Sequence, residues 1–171
     1  RPRVVEIPKH VDARGNLSVV DQATCLPFSL RRIFYVYDIP AATERGAHAH
    51  YTLHQFLWCV TGSVEVRTIA RDGSENSFVL SLPWTGLYLP PMVWASEKSL
   101  TAACTYFVAA SSGYDEKDYI RDLGQFQQIC KLDMEVRFFK QAEINRQYAD
   151  AVHSAVDELL LGSSSLVNGR L

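Results

Sequence analysis

No apolar run in this sequence approaches the roughly 20 residues that a membrane-spanning helix needs, and no signal peptide is recognisable. A membrane partner is therefore not expected. Cysteine is sparse: Cys25, Cys59, Cys104 and Cys130 are widely scattered, with no C-x-x-C pair. Their apolar surroundings suit buried free thiols, so a reduced, cytoplasmic setting is the expectation. A surplus of one charge is missing too. Seventeen Lys and Arg face nineteen Asp and Glu, a formal net charge of −2. No basic field recruits nucleic acid, although a local cationic pocket stays open. There is no internal repeat. The chain opens Arg-Pro-Arg without a Met, as a processed chain or a piece of a longer one would.

What is present reads as β structure. The 171 residues, 47% hydrophobic and 21% charged, suit one domain with a sizeable core. "RRIFYVYDI", "HQFLWCVTG", "SVEVRTIA", "NSFVLSL", "GLYLPP" and "TAACTYFVAA" are β-branched or aromatic runs. Asp72-Gly73 marks a hairpin between two of them. Many short strands separated by Gly, Pro and Asp turns predict a sandwich or barrel. Small barrels hold ligands among inward-facing side chains. After Ser111 the character changes. "YDEKDYIRDLGQFQQIC" reads as a helical or loop-like cap. Ile144, Tyr148, Val152, Ala155, Val156 and Leu159 then recur at helical spacing, ending at Gly162 before a loose polar tail. The division expected is residues 1–130 as the barrel and 131–171 as a helical extension or linker.

Three histidines, His48, His50 and His54, fall within seven positions. His-x-His presents two imidazoles on one strand face. The arrangement resembles the cupin motif, in which His-x-His is followed by a Glu and a Gly, and a second strand adds Pro-x-Gly-x-x-His. The resemblance implies a mostly β, jelly-roll (double-stranded β-helix) barrel with a C-terminal helical extension. Here His48-Ala49-His50 is followed by four residues, Gln55, six residues and Gly62; the second motif runs Pro90 to Ala95. The Glu position holds Gln55 and the second His position holds Ala95. An amide is a poor first ligand and a methyl is none. Two of four metal ligands remain, and His54 adds a third only if the strand stays regular. The reading is therefore no metal and no cofactor. The pair would do acid–base work, since imidazole titrates near neutrality.

Other groups stand near the pair. Tyr35 and Tyr37 share one face of "FYVYD", where a phenol can donate to an enolate oxygen or simply pack. Arg45, three residues before His48, can meet a phosphate or a carbonyl oxygen, or be a solvated loop charge. Trp94 can wall a sugar or base, or belong to the core, and Tyr88 in "GLYLPP" is a second aromatic candidate beside Gln55.

At "RGAHAHYTLHQFLWCVTGSVEV", "GLYLPPMVW" and "YDEKDYIRD" the sequence is similar to the nucleotide-sugar 3,4-ketoisomerases, over roughly Val4 to Ile129. That resemblance implies a metal-free cupin, dimeric and often with exchanged N-terminal strands. It acts on dTDP-4-keto-6-deoxyglucose in deoxyamino-sugar biosynthesis. It implies His48 as base at carbon and His50 as relay or anchor. Tyr35 or Tyr37 and Arg45 would steady the enediolate. Arg67 and Arg71 are candidates for the diphosphate by charge alone. The N-terminal "PKHVDARGNL" is shared with the deoxysugar 3,5-epimerases, the alternative enzyme. A sugar-binding cupin without turnover is the alternative outside catalysis. The family also suggests fusion to an acyltransferase. The tail bears a likeness to the opening helix of sugar aminotransferases, although an amphipathic interface helix is the plainer reading.

Overall fold

The computed structural model describes residues 1–167, and their side-chain burial through residue 156. Three short strands come first: β1 (Arg3–Glu6), β2 (Lys9–Asp12) and β3 (Gly15–Ser18). Longer ones follow: β4 (Arg32–Ile39), β5 (Glu44–His50), β6 (Gln55–Thr61), β7 (Val64–Ile69) and β8 (Glu75–Leu80). Then come β9 (Thr85–Leu89), β10 (Trp94–Ser99) and β11 (Cys104–Ala110). A 3₁₀ turn at Glu116–Asp118 leads into β12 (Tyr119–Ile120), and α1 covers Leu123–Val167.

Two five-stranded sheets carry the fold, in the orders β1-β9-β6-β11-β4 and β12-β5-β10-β7-β8. The strand pairs within them are antiparallel. Period-two alternation turns Leu57, Cys59, Leu87, Leu89, Tyr106 and Val108 of the first sheet inward. Val64, Val66, Leu80 and Ala95 of the second join them in one buried cluster. Each fully buried Val or Leu contributes about 1.5–3 kcal/mol. The Asp72-Gly73 hairpin joins β7 to β8, with Gly73 at φ +79°. This is the mostly β cupin-like barrel expected from the motifs.

The outer faces are covered unequally. Ile7, Cys25 and Leu26 pack over Phe56, Tyr88 and Ala109 on the first sheet. Phe126 and Cys130, in the first turns of α1, pack with Ala49, Trp94 and Ile120 of the second. All four cysteines are buried thiols. The β2–β3 hairpin forms its own two-stranded sheet with Val11 and Leu17 exposed.

Asp122 opens α1: its carboxylate accepts the Gln125 N–H at 2.7 Å, an N-cap. The helix absorbs the two segments that the sequence separates. It also runs through Gly162, where the pattern predicts an end. One interior glycine costs only about 1 kcal/mol relative to Ala, too little by itself to stop a helix. Residues 163–167 of the expected loose tail are helical as well, and 168–171 lie outside the described residues. The chain divides into two compact units, Arg1–Cys130 and Lys131–Leu171. The second is helix, with Leu132, Phe138, Phe139, Ile144, Tyr148 and Val152 exposed. No helix among the described residues is long and apolar enough to cross a membrane.

Candidate active site

β5 is not a regular strand. Gly46 and Ala47 both have positive φ, +71° and +57°. Its pairing with β10 slips there: His48 faces Ala95, but Gly46 faces Ser96. The extra residue is a β-bulge, a device that re-aims side chains. Arg45, Gly46 and His48 consequently all border one cavity of about 150 Å³ between the sheets. Its other walls are Phe34, Val36, Gln55, Leu57, Glu97, Tyr106, Val108 and Tyr119.

The two histidines meet as the His-x-His spacing requires, with ring centroids 5.0 Å apart and planes at 87°. His50 is 5% exposed. Its Nδ1–H donates to Asp118 Oδ2 at 3.1 Å. That carboxylate also accepts from the Thr52 N–H at 2.8 Å, the Thr52 hydroxyl at 2.7 Å and the Leu53 N–H at 3.2 Å. Asp118 is thus pinned by four donors and fixes the tautomer and orientation of His50. The remaining ring nitrogen, His50 Nε2, is buried without a partner, as is His48 Nδ1. Unsatisfied buried nitrogens are rare, and a catalytic role is one of the reasons a folded protein keeps them. Tyr119 lies against both rings, 5.0 Å from His48 and 4.2 Å from His50.

Electrostatics keep this pair neutral. Burial pushes His48 below the usual histidine value, although the Gly46 backbone favours the charged ring. His50 is pushed down to about 4 by burial and then by His48; Asp118 opposes the shift. Neutral imidazole is the form that accepts a proton. Across the cavity Glu97 is pushed up to about 7 by burial. Tyr106 is raised by burial and by Glu97, with Arg45 acting against it.

Several predicted site residues lie elsewhere. Phe34 and Val36 take the inward positions of β4, so alternation turns Tyr35 and Tyr37 outward, 58% and 60% exposed. There Tyr35 packs on Phe107 and Tyr37. Tyr88 also faces away from the cavity: it hydrogen-bonds His54 Nδ1 at 2.6 Å and carries the Arg3 guanidinium over its ring. His54 is thereby separated from the other two histidines. Trp94 packs on Phe126 on the far side of β10. It borders an outer groove with Arg67, which pairs with Glu65 at 3.0 Å. Arg71 sits at the β7–β8 turn. The cations whose charge acts on the histidines are Arg121 on His48 and Arg32 on His50. Gln55 and Arg45 do reach the cavity. Among the described residues, no three His, Cys, Asp or Glu side chains gather as a metal site.

The residues that sequence reasoning missed are Asp118, Tyr119, Glu97 and Tyr106. The first two stand in "YDEKDYIRD", which carried the resemblance without a role for any of its side chains. Glu97 had a signal: it follows Ala95 by two, the spacing of one strand face.

Comparison with known proteins is consistent with this geometry. The model of the family described as "FdtA: WxcM-like, C-terminal" matches residues 1–131. The chain belongs to this family. A curated relative from Aneurinibacillus thermoaerophilus, TDP-4-oxo-6-deoxy-alpha-D-glucose-3,4-oxoisomerase, is 37% identical over 135 residues, 78% of this chain and 96% of the relative. Among solved structures, QdtA from Thermoanaerobacterium thermosaccharolyticum, a sugar 3,4-ketoisomerase in complex with TDP, superposes with a TM-score of 0.73 at 32% identity. That match covers 77% of this chain and 96% of QdtA. A histidine-to-asparagine mutant of QdtA, in complex with TDP-4-keto-6-deoxyglucose, gives 0.72 at 32%, covering 76% and 94%. The FdtA-like match thus ends near the boundary between the two compact units, early in α1.

Proposed function

We propose that this chain moves the keto group of a TDP-linked 4-keto-6-deoxyhexose from C4 to C3, as the 37%-identical relative's name describes for that protein. The observation that carries it is a neutral histidine pair: His48 borders a cavity that also holds a carboxyl and a phenol, and His50, anchored by Asp118, stands directly behind it. The C4 carbonyl acidifies the C3–H. His48 takes that proton and leaves an enediolate. Arg45, at the cavity edge, opposes the developing negative charge. Return of the proton to C4 leaves the ketone at C3. His50, held by Asp118, keeps His48 in place and shares its charge. No electrons leave the sugar, so the chemistry calls for no redox cofactor.

At about 150 Å³ the cavity is smaller than the roughly 300–1,000 Å³ of sites that enclose drug-sized ligands. The hexose enters it and the nucleoside diphosphate stays outside, toward Arg32 and Arg121. The working form is a homodimer in the cytoplasm. Ile33, Tyr35 and Tyr37 form an exposed apolar row on the outer face of β4, and a second copy is the occupant that this row suits.

The deciding experiment incubates the protein with TDP-4-keto-6-deoxyglucose in heavy water and follows the sugar carbons by NMR. A new 3-keto sugar with deuterium exchange at C3 is expected. Exchange at C5 would make the chain an epimerase, and binding without exchange a sugar-binding module.

A further inference from the structure

The second compact unit begins at Lys131, where the family match stops, and among the described residues it holds no element but α1. A helix gains most of its stability by packing an apolar face, and this unit has no second element to supply one. Between Lys140 and Val156 the helix is two-sided. Lys140, Glu143, Arg146, Asp150 and His153 follow one another at steps of three or four, on one side. That side is partnered within itself: Arg146 pairs with Glu143, and Gln147 donates to Glu143 at 3.2 Å, as on a solvated face.

The other side carries a seam. Phe138, Gln141, Asn145, Tyr148, Val152 and Ala155 recur in steps that alternate strictly between three and four, and Met134 extends the series by one step of four. This is the 3.5-residue period of a coiled coil rather than the broader stripe of a helix lying on a sheet. The seam is open: Phe138 is 72% and Tyr148 73% exposed, Met134 43% and Val152 45%. We propose that it packs on the same seam of a second copy of this chain, as a parallel, in-register, two-stranded coiled coil from Met134 to Ala155. This pairing does not depend on the keto-transfer reading.

The composition of the seam points to an identical partner. No charged side chain falls on it, so two copies meet without like-charge repulsion. Its two polar members, Gln141 and Asn145, are amides, each a donor and an acceptor at once. Gln141 Nε2 donates to Asn145 Oδ1 at 3.0 Å, which leaves further donor and acceptor capacity on both. Covered by an apolar surface of some other partner, that capacity would be buried unsatisfied. Opposite its own copy, each amide meets an amide. The position also matters. Phe138, Asn145 and Val152 stand seven apart on the same edge of the seam. An asparagine there fixes register and strand number at a cost in stability, and a β-branched residue there favours two strands. Ala142, Ala149 and Ala151 beside the seam are small enough to let two helices approach.

The test is a cross-link in the full chain. Asn145→Cys puts a thiol where the two seams meet, His153→Cys puts one on the polar side, and the four native cysteines are buried. Glutathione disulfide is the oxidant: two thiols give one disulfide and two glutathiones. Asn145→Cys is expected to form covalent dimer at least about tenfold faster than His153→Cys, because pairing raises the local thiol concentration. Adding Val152→Asp to Asn145→Cys should abolish that advantage, since the two copies would then face each other with carboxylates. Equal rates for the two cysteines would overturn the proposal; an antiparallel pair, or a seam covered by a different protein, gives that result. A cross-link at Asn145→Cys that survives Val152→Asp would overturn it too. Circular dichroism checks that each variant keeps its helix. Should Asn145→Cys lose it, Tyr148→Cys takes its place on the seam, with the same outcomes deciding.

Discussion

β4 and β5 are sequence neighbours that end up on opposite sheets, and they use their aromatic rings in opposite ways. β4 alternates regularly. Phe34 and Val36 line the cavity, and Tyr35 and Tyr37 stand outside with more than half their surface exposed. β5 breaks its alternation at Gly46 and Ala47 and presents Arg45 and His48 to the cavity, with the buried His50 ring against His48. Both strands carry residues able to do acid–base chemistry. Only the inner set is desolvated, and only there are charges and hydrogen bonds strong enough to tune a proton transfer. A residue's chemical type makes it a candidate; its facing makes it a participant.

The largest expected effect on this contrast comes from His48→Asn. The variant should still bind TDP, while kcat falls by about 10²–10⁴-fold, the usual worth of a general base. KM should change little, because the base acts only on the way to the enediolate. Titration of TDP binding by calorimetry, beside turnover by NMR, checks the split. Normal C3 exchange in this variant would pass the role to His50.

Asp118→Asn should lower turnover by about 10–100-fold, the range for losing a charge-assisted hydrogen bond worth about 1.5–3 kcal/mol. Steady-state rates beside C3 exchange measure it. A wild-type rate would mean that the orientation of His50 does not matter.

Acid should weaken the fold through the same dyad. His50 titrates at about 4 when folded, against 6.5 ordinarily. The depressed value means that the unfolded chain binds the proton more readily. The stabilisation is therefore present above pH 6.5 and is lost as pH falls toward 4, on the order of 3 kcal/mol in all. Melting temperatures at intervals from pH 7 to 4 should fall most steeply in that window, and less so in His50→Asn.

On the outer strand face the effects should be smallest. Tyr35→Phe and Tyr37→Phe should each leave kcat within about threefold, since exposed substitutions usually cost under 0.5 kcal/mol. A hundredfold loss in either would show that a phenol from this face reaches a reacting sugar. Light scattering on Tyr35→Asp should meanwhile show a shift toward monomer if that row seats a second copy. Chelation with EDTA should change neither rate nor mass.

Much of this protein was legible in advance. The β-branched runs and the Asp72-Gly73 hairpin foretold a mostly β barrel. His48 and His50 were legible as a pair because two residues apart on a strand means one face. Gln55 and Ala95 were legible as departures from a ligand set, and Ala95 does stand opposite His48 in the ladder. These are local statements, carried by spacing and residue type. What tertiary structure alone decided is which parity of each strand faces inward and who meets whom. Tyr35 and Phe34 are equally apolar to a reader of β4, and burial of the whole sheet chose between them. His50 and Asp118 lie 68 positions apart, a separation at which no pattern along the chain links them. The bulge that opens β5 to the Glu97 carboxyl exists only once β5 and β10 are paired. Hydrophobic alternation is written residue by residue, whereas desolvation and hydrogen-bond partnership belong to the closed barrel.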